Sequence, residues 1–99
     1  MLGTEMDLSA APDAPPVEAD WLRVAERIEE AEKRLADDPL DGLAELKAAE
    51  EEARTLADRA LEHGVRWARS AGKSWTEIAQ VMGVARQAAW RRFTDRGIR

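Results

Sequence analysis

Two runs of apolar residues spaced three and four apart decide what this chain can fold into. Trp21, Val24, Ile28, Ala31 and Leu35 recur at intervals of 3, 4, 3 and 4, and Leu46, Ala49, Ala53, Leu56 and Ala60 repeat the series. At ~3.6 residues per turn such a series falls on one stripe of an α-helix, whereas a strand would scatter it over both faces. Charged side chains fill the remaining faces of the first run: Glu26, Glu29, Glu30, Lys33 and Arg34. The expected fold class is all-α.

Between the two runs stands DDPLDG, residues 37–42. Pro39 cannot continue a helix, Asp37 and Asp38 suit a turn, and Asp41 is the expected N-cap of the second helix. The first helix is read from Val17 and the second from Gly42 to about Ala71. A turn this short predicts a long antiparallel helical hairpin. A first helix of about 20 residues, roughly 30 Å, would fold back along residues 41 to about 60 and leave 61–71 in need of another partner. The second stripe widens there, with Leu61, Val65, Trp67 and Ala68. Gly64 stands inside that stretch, where glycine costs about 1 kcal/mol against alanine; a close approach or a bend would each explain it.

With 99 residues the chain has room for one small domain and an appendage. Residues 1–16, MLGTEMDLSAAPDAPP, mix alanine, acid and proline without period and are expected to be a disordered arm. They have neither the basic start nor the apolar core of a secretory signal, and no stretch approaches the roughly 20 apolar residues of a membrane span. A cytoplasmic, nucleoid-associated chain with no membrane partner is expected. There is no cysteine, and His63 is the lone histidine. No metal site, no cofactor and no enzymatic activity are expected from this inventory.

The formal charge of −5 conceals a division. Residues 63–99 hold eight basic and two acidic side chains, against seven and eighteen in residues 1–62. A basic last third behind an acidic first part predicts a nucleic-acid contact at the basic end.

That end carries a motif. Ala71-Gly72-Lys73 closes the second helix, with Gly72 as its C′ residue. Ser74-Trp75-Thr76-Glu77 reads as a capping box that opens a short helix. Ile78, Ala79 and Met82 form its inner face, Gly83 breaks it, and a further helix runs from about Ala85 to Asp95. The stretch TEIAQVMGVARQAAWRRF resembles the helix-turn-helix of small bacterial regulators of the homeodomain-like and sigma-region-4-like kind. The resemblance covers residues 74–93, with 61–71 as the preceding helix of a three-helix unit. Its pattern has a small residue where the helices cross (Ala79), a left-handed glycine in the turn (Gly83), and apolar residues closing the core (Ile78, Met82, Val84, Ala89 and Phe93). Ala85 departs from the Ser or Thr that usually caps the reading helix. Ala89 is small for its place, a gap that Trp90 would fill by turning inward.

The resemblance implies that the second helix of the motif enters the major groove of double-stranded DNA. Arg86, Gln87, Trp90 and Arg91 are then the candidate base-reading residues, since Arg pairs with guanine and Gln with adenine. Lys73, Ser74, Thr76, Arg92 and Arg96 are the candidate phosphate contacts, Ser74 also serving as a cap. Trp67 and Trp75 are expected in a core or an interface. A hairpin alone is too thin to cover its stripes, so Trp21, Ile28, Leu35, Leu46 and Leu56 are the candidate dimerisation residues of a homodimer. The domain reading is a 1–16 arm, a 17–60 acidic hairpin for dimerisation or partner binding, and a 61–99 helix-turn-helix. The leading functional expectation is a sequence-specific, dimeric transcriptional regulator. The other is an interaction scaffold whose acidic hairpin docks on another transcription protein or a toxin.

Overall fold

The computed structural model describes residues 14–99, and the chain divides into two compact units, Met1–Ala60 and Leu61–Arg99. The described residues form four helices and no strand: α1 Glu18–Asp37, α2 Pro39–Ser70, α3 Trp75–Met82 and α4 Arg86–Thr94. The chain is all-α. Among the described residues no helix is long and apolar enough to cross a membrane.

In the first unit, three contacts fix the sense of α1 against α2. Arg34 pairs with Asp41 at 2.7 Å and Arg27 with Glu52 at 2.7 Å. The Ala14 carbonyl accepts from Arg59 Nη2 at 2.9 Å and Nε at 3.3 Å. Successively earlier residues meet successively later ones, so this part of α2 runs antiparallel to α1. The two ion pairs are largely exposed, so solvent screens them and they report the register more than they create it.

The connection is shorter than the sequence suggested. Helix α2 starts at Pro39, not Gly42, and Asp38 alone separates the helices. Pro39 opens a helix instead of only ending one, because the first helical position has no amide bond to lose and favours a fixed φ. Asp38, not Asp41, is the cap: its Oδ1 accepts the Asp41 amide at 3.2 Å, while its own amide donates to the Arg34 carbonyl at 2.8 Å. Asp38 therefore ends one helix and begins the next. Gly42 is buried beside it. A Cβ there would lie 2.9 Å from the Leu35 backbone nitrogen and 3.0 Å from the Ala31 carbonyl oxygen. Only a residue without a side chain lets the two backbones approach this closely.

That close approach sets the composition of the seam. Ala14, Val24, Ala31, Ala49 and Leu56 are its buried apolar side chains. Of the residues expected to form a dimer stripe, Leu56 is 5% exposed within the chain, Trp21 is 40% and Ile28 36% exposed, and Leu35 and Leu46 are half-buried. Three alanines, with Val24 and Leu56, fill the seam, while Trp21 and Ile28 stay at its margin. Most of the expected 1–16 arm lies outside the described residues. Among its described residues, Ala14 is buried and its carbonyl accepts both Arg59 donors, so the arm's end is packed on the hairpin.

The second unit is a core of Val65, Trp75, Ile78, Ala79, Ala89, Phe93 and Ile98, with Ala68 and Met82 packed against it. Phe93 has no exposed surface, and its ring stacks on Trp75 with centroids 6.4 Å apart. Val84 was expected in this core but is 43% exposed. The turn at Gly83 carries the chain outward before α4 begins, so the residue after it points to solvent. Trp67 is 72% exposed, on the α2 face away from Val65 and Ala68. On the other side of the core, Leu61, Gly64, Val65, Ile78, Val81 and Met82 line an apolar groove of about 360 Å³ between the end of α2 and α3. Nothing lies within 4 Å of where a Gly64 Cβ would be, so Gly64 faces open space and does not mark a close approach between the described helices.

Candidate nucleic-acid interface

Helix α3 is set at both ends by its own sequence. Ser74 Oγ accepts the Glu77 amide at 3.0 Å, and Glu77 Oε1 accepts the Ser74 amide at 2.9 Å. That reciprocal box satisfies two of the amides a helix start leaves unpaired. The backbone bond from Ser74 is the largest reason the Glu77 carboxyl is held below its usual range, followed by the Ser74 side chain. Gly83 ends the helix with φ 71°, a left-handed conformation that side chains with a Cβ rarely adopt. Its amide reaches the Gln80 carbonyl at 3.2 Å, and the Val84 amide reaches the Ala79 carbonyl at 3.1 Å. This pairing pattern reverses the chain within two residues.

Helix α4 then lies on α3 through Ala89 and Phe93, which are 1% and 0% exposed. Ala89 and Ala79 are both buried in the core, and Trp90 does not turn inward beside Ala89. Trp90 points outward and is 45% exposed. At the far end Gly97, with φ 86°, repeats the reversal: the Ile98 amide bonds to the Phe93 carbonyl at 3.0 Å. Ile98 drops back into the core at 3% exposure. The sequence reading did not single out this residue, although an apolar residue directly after a glycine was a signal for it.

Every candidate base-reading residue lies on the open face: Arg86, Gln87, Trp90 and Arg91 are exposed. Arg86, Gln87 and Trp90 are brought together and line one surface recess. Among the described residues no side-chain ion pair or hydrogen bond engages Arg86 or Arg91, so their donors face outward uncommitted. Ala85 makes no side-chain cap to α4, and the first amides of that helix stay open.

The candidate phosphate contacts divide. Lys73, Thr76 and Arg92 are exposed, and the Arg92 guanidinium carbon lies 4.9 Å from the Phe93 ring centroid. Ser74 uses its oxygen as an acceptor within the cap and keeps its hydroxyl proton to donate. Arg96 is also exposed, with its guanidinium 3.9 Å from Glu62 Oε1 and 6.0 Å from the Phe93 ring centroid. Arg66 and Arg69 belong to the scaffold. Arg66 Nη2 donates to the Arg96 carbonyl at 3.2 Å, and Arg69 donates to the Arg99 and Lys73 carbonyls at 2.8 and 2.7 Å. Part of the basic charge in this third therefore holds the fold. His63 has no companions at ligand spacing: among the described residues no group of three His, Cys, Asp or Glu side chains could hold a metal.

The chain is similar to uncharacterized proteins of Mycobacterium bovis and of two strains of Mycobacterium tuberculosis, each 40% identical over 85 residues. The matched region takes in 86% of this chain but 31% of each relative. The chain thus spans about a third of the length of the curated relatives it matches. A match that long includes residues from both compact units. No family model matches the chain, and no solved structure does.

Proposed function

We propose that this chain is a sequence-specific double-stranded DNA-binding protein, a dimeric transcriptional regulator that reads the major groove with α4. The end of α2, with α3 and α4, is read as a helix-turn-helix following the α1–α2 hairpin. The observation that carries the proposal is the division of α4. One face is sealed by Ala89 and Phe93, while Arg86, Gln87, Trp90 and Arg91 are exposed, the first three lining one recess. A helix that only closed a core would gain nothing from a strip of guanidinium and amide donors without internal partners. Arg and Gln are the side chains that make paired hydrogen bonds to guanine and adenine edges. In such a complex Lys73 and Thr76, at the start of α3, contact phosphate, and the hairpin pairs two copies so that two α4 helices meet two half-sites.

The test separates base reading from charge. Arg86→Ala or Gln87→Ala should cost about 1–3 kcal/mol on a preferred duplex and far less on a scrambled one. Lys73→Ala should weaken both alike and lower the salt slope by roughly one unit. Identical behaviour of Arg86→Ala and Lys73→Ala on both duplexes would remove the proposal.

A second reading rests on a different observation. Trp21, Leu22 and Ile28 leave apolar surface on the acidic α1, which suits an interaction scaffold docking on another transcription protein or a toxin. A stable 1:1 complex with such a protein, formed without DNA, would favour it.

A further inference from the structure

We propose that Trp90 reads thymine, through the C5-methyl group, one turn along α4 from Arg86 and Gln87. The inference rests on the base-reading role proposed for α4 and specifies what the indole does there.

Trp90 is 45% exposed on a helix that buries its neighbour Ala89 to 1% and Phe93 to 0%. Packing within the chain does not call for an indole at this position. It follows Arg86 by four residues and Gln87 by three, so the three side chains share one strip. Together they line a surface recess of about 370 Å³. A major groove offers hydrogen-bonding base edges to the Arg and Gln of such a strip. Most of the indole is apolar, and its single N–H does not account for the rest of the ring. Stacking on a base is closed to it in an intact duplex, because each base face is covered by the next pair. The apolar group that projects into the groove is the thymine methyl. Residues 87 and 90 are separated by about 4.5 Å of helix rise, and base pairs by about 3.4 Å. The thymine therefore falls within about two base pairs of the purine met by Arg86 or Gln87.

The experiment starts from duplexes selected out of random DNA by the full chain. Each thymine of the selected site is replaced in turn by uracil, which removes the methyl group and leaves the hydrogen-bonding edge unchanged. At one thymine near the Arg86/Gln87 purine the wild-type chain should bind about fourfold more weakly, the worth of one buried methyl. Trp90→Ala should bind the thymine and uracil duplexes equally, and Trp90→Phe, which keeps an apolar ring, should retain the preference. Circular dichroism checks that both variants fold. Equal wild-type binding to thymine and uracil at every position would overturn the inference, as would a preference that survives Trp90→Ala. A chain that selects no duplex would remove the base-reading role of α4 and this inference with it. A selected duplex sensitive to Arg86→Ala but indifferent to uracil would remove the role of Trp90 alone.

Discussion

The guanidinium carbon of Arg69 lies over the indole of Trp75, 5.0 Å from the ring centroid. The same group donates to the Lys73 carbonyl at 2.7 Å and to the Arg99 carbonyl at 2.8 Å. One side chain thus ties the end of α2 to the loop before α3, to the first core ring of α3 and to the last residue. A cation over an aromatic face contributes about 0.5–1 kcal/mol at an exposed site, and a hydrogen bond from a charged donor somewhat more. Arg69→Ala is expected to lower stability by about 1–2 kcal/mol. Arg69→Lys should recover only part, since an ammonium cannot present a planar fork. Urea unfolding followed by tryptophan fluorescence checks this; an unchanged midpoint for Arg69→Ala would show that the tie contributes nothing.

Two glycines inside α2 should respond to alanine with opposite signs. A Cβ at Gly42 meets backbone, 2.9 Å from the Leu35 nitrogen and 3.0 Å from the Ala31 oxygen, so α1 would have to move away. Overpacking of this kind costs about 1–3 kcal/mol, against about 1 kcal/mol gained in helix propensity. Gly42→Ala is therefore expected to be destabilising overall. At Gly64 nothing lies within 4 Å, and Gly64→Ala should stabilise by about 0.5–1 kcal/mol. Thermal melts of the two variants decide it. A destabilised Gly64→Ala chain would mean that the groove beside it is filled in solution.

These two glycines also mark where the sequence was legible and where it was not. The stripes of α1 and α2 could be read because periodicity is a local property, and so could the Ser74–Glu77 box and the Gly83 turn, whose chemistry lies within a few residues. The role of Gly42 could not, because it depends on Leu35 and Ala31 across the seam. Pro39 was misread for a related reason: proline suits both the position after a helix and the first position of one. Arg66 and Arg69 look like any other basic residues in the chain's last third. The return of the chain after α4 brings the Arg96 and Arg99 carbonyls within their reach. Of the candidate site, the strip Arg86, Gln87 and Trp90 was visible from helix spacing. The approach of Arg96 to Glu62 was not, since it joins α2 to the residues after α4.

The capping box should give the fold an acid-sensitive component. Hydrogen bonding to Ser74 lowers the Glu77 pKa from 4.5, and pairing with Lys47 does the same for Glu50. A lowered folded-state pKa means that the contribution is present above the unfolded value and is lost as pH falls through the folded one. Stability is therefore expected to hold at neutral pH and to fall as the pH drops below about 4.5. Glu77→Gln should make that fall shallower, because a glutamine can reach the same amide without titrating. Melts between pH 7 and pH 2.5 would test this. An identical pH slope for wild type and Glu77→Gln would exclude Glu77 as a source.

The burial pattern of the first unit turns the proposed dimer into a contrast between two substitutions. Leu56 is 5% exposed, inside the seam between α1 and α2, and a lysine there places a charge where the chain itself must pack. Leu56→Lys is expected to destabilise the fold by several kcal/mol, whatever the oligomeric state. Ile28 is 36% exposed and Trp21, seven residues earlier on the same face, 40%. Ile28→Lys should leave the monomer folded, since the ammonium can stay in water, while removing apolar surface that a second copy would cover. Sedimentation at micromolar concentration should therefore find the wild type dimeric and Ile28→Lys monomeric with a near-normal helical signal. DNA affinity should fall with the dimer, because two linked reading helices become one. A monomeric wild type would end the dimer proposal and leave α1's exposed Trp21 and Ile28 to the scaffold reading.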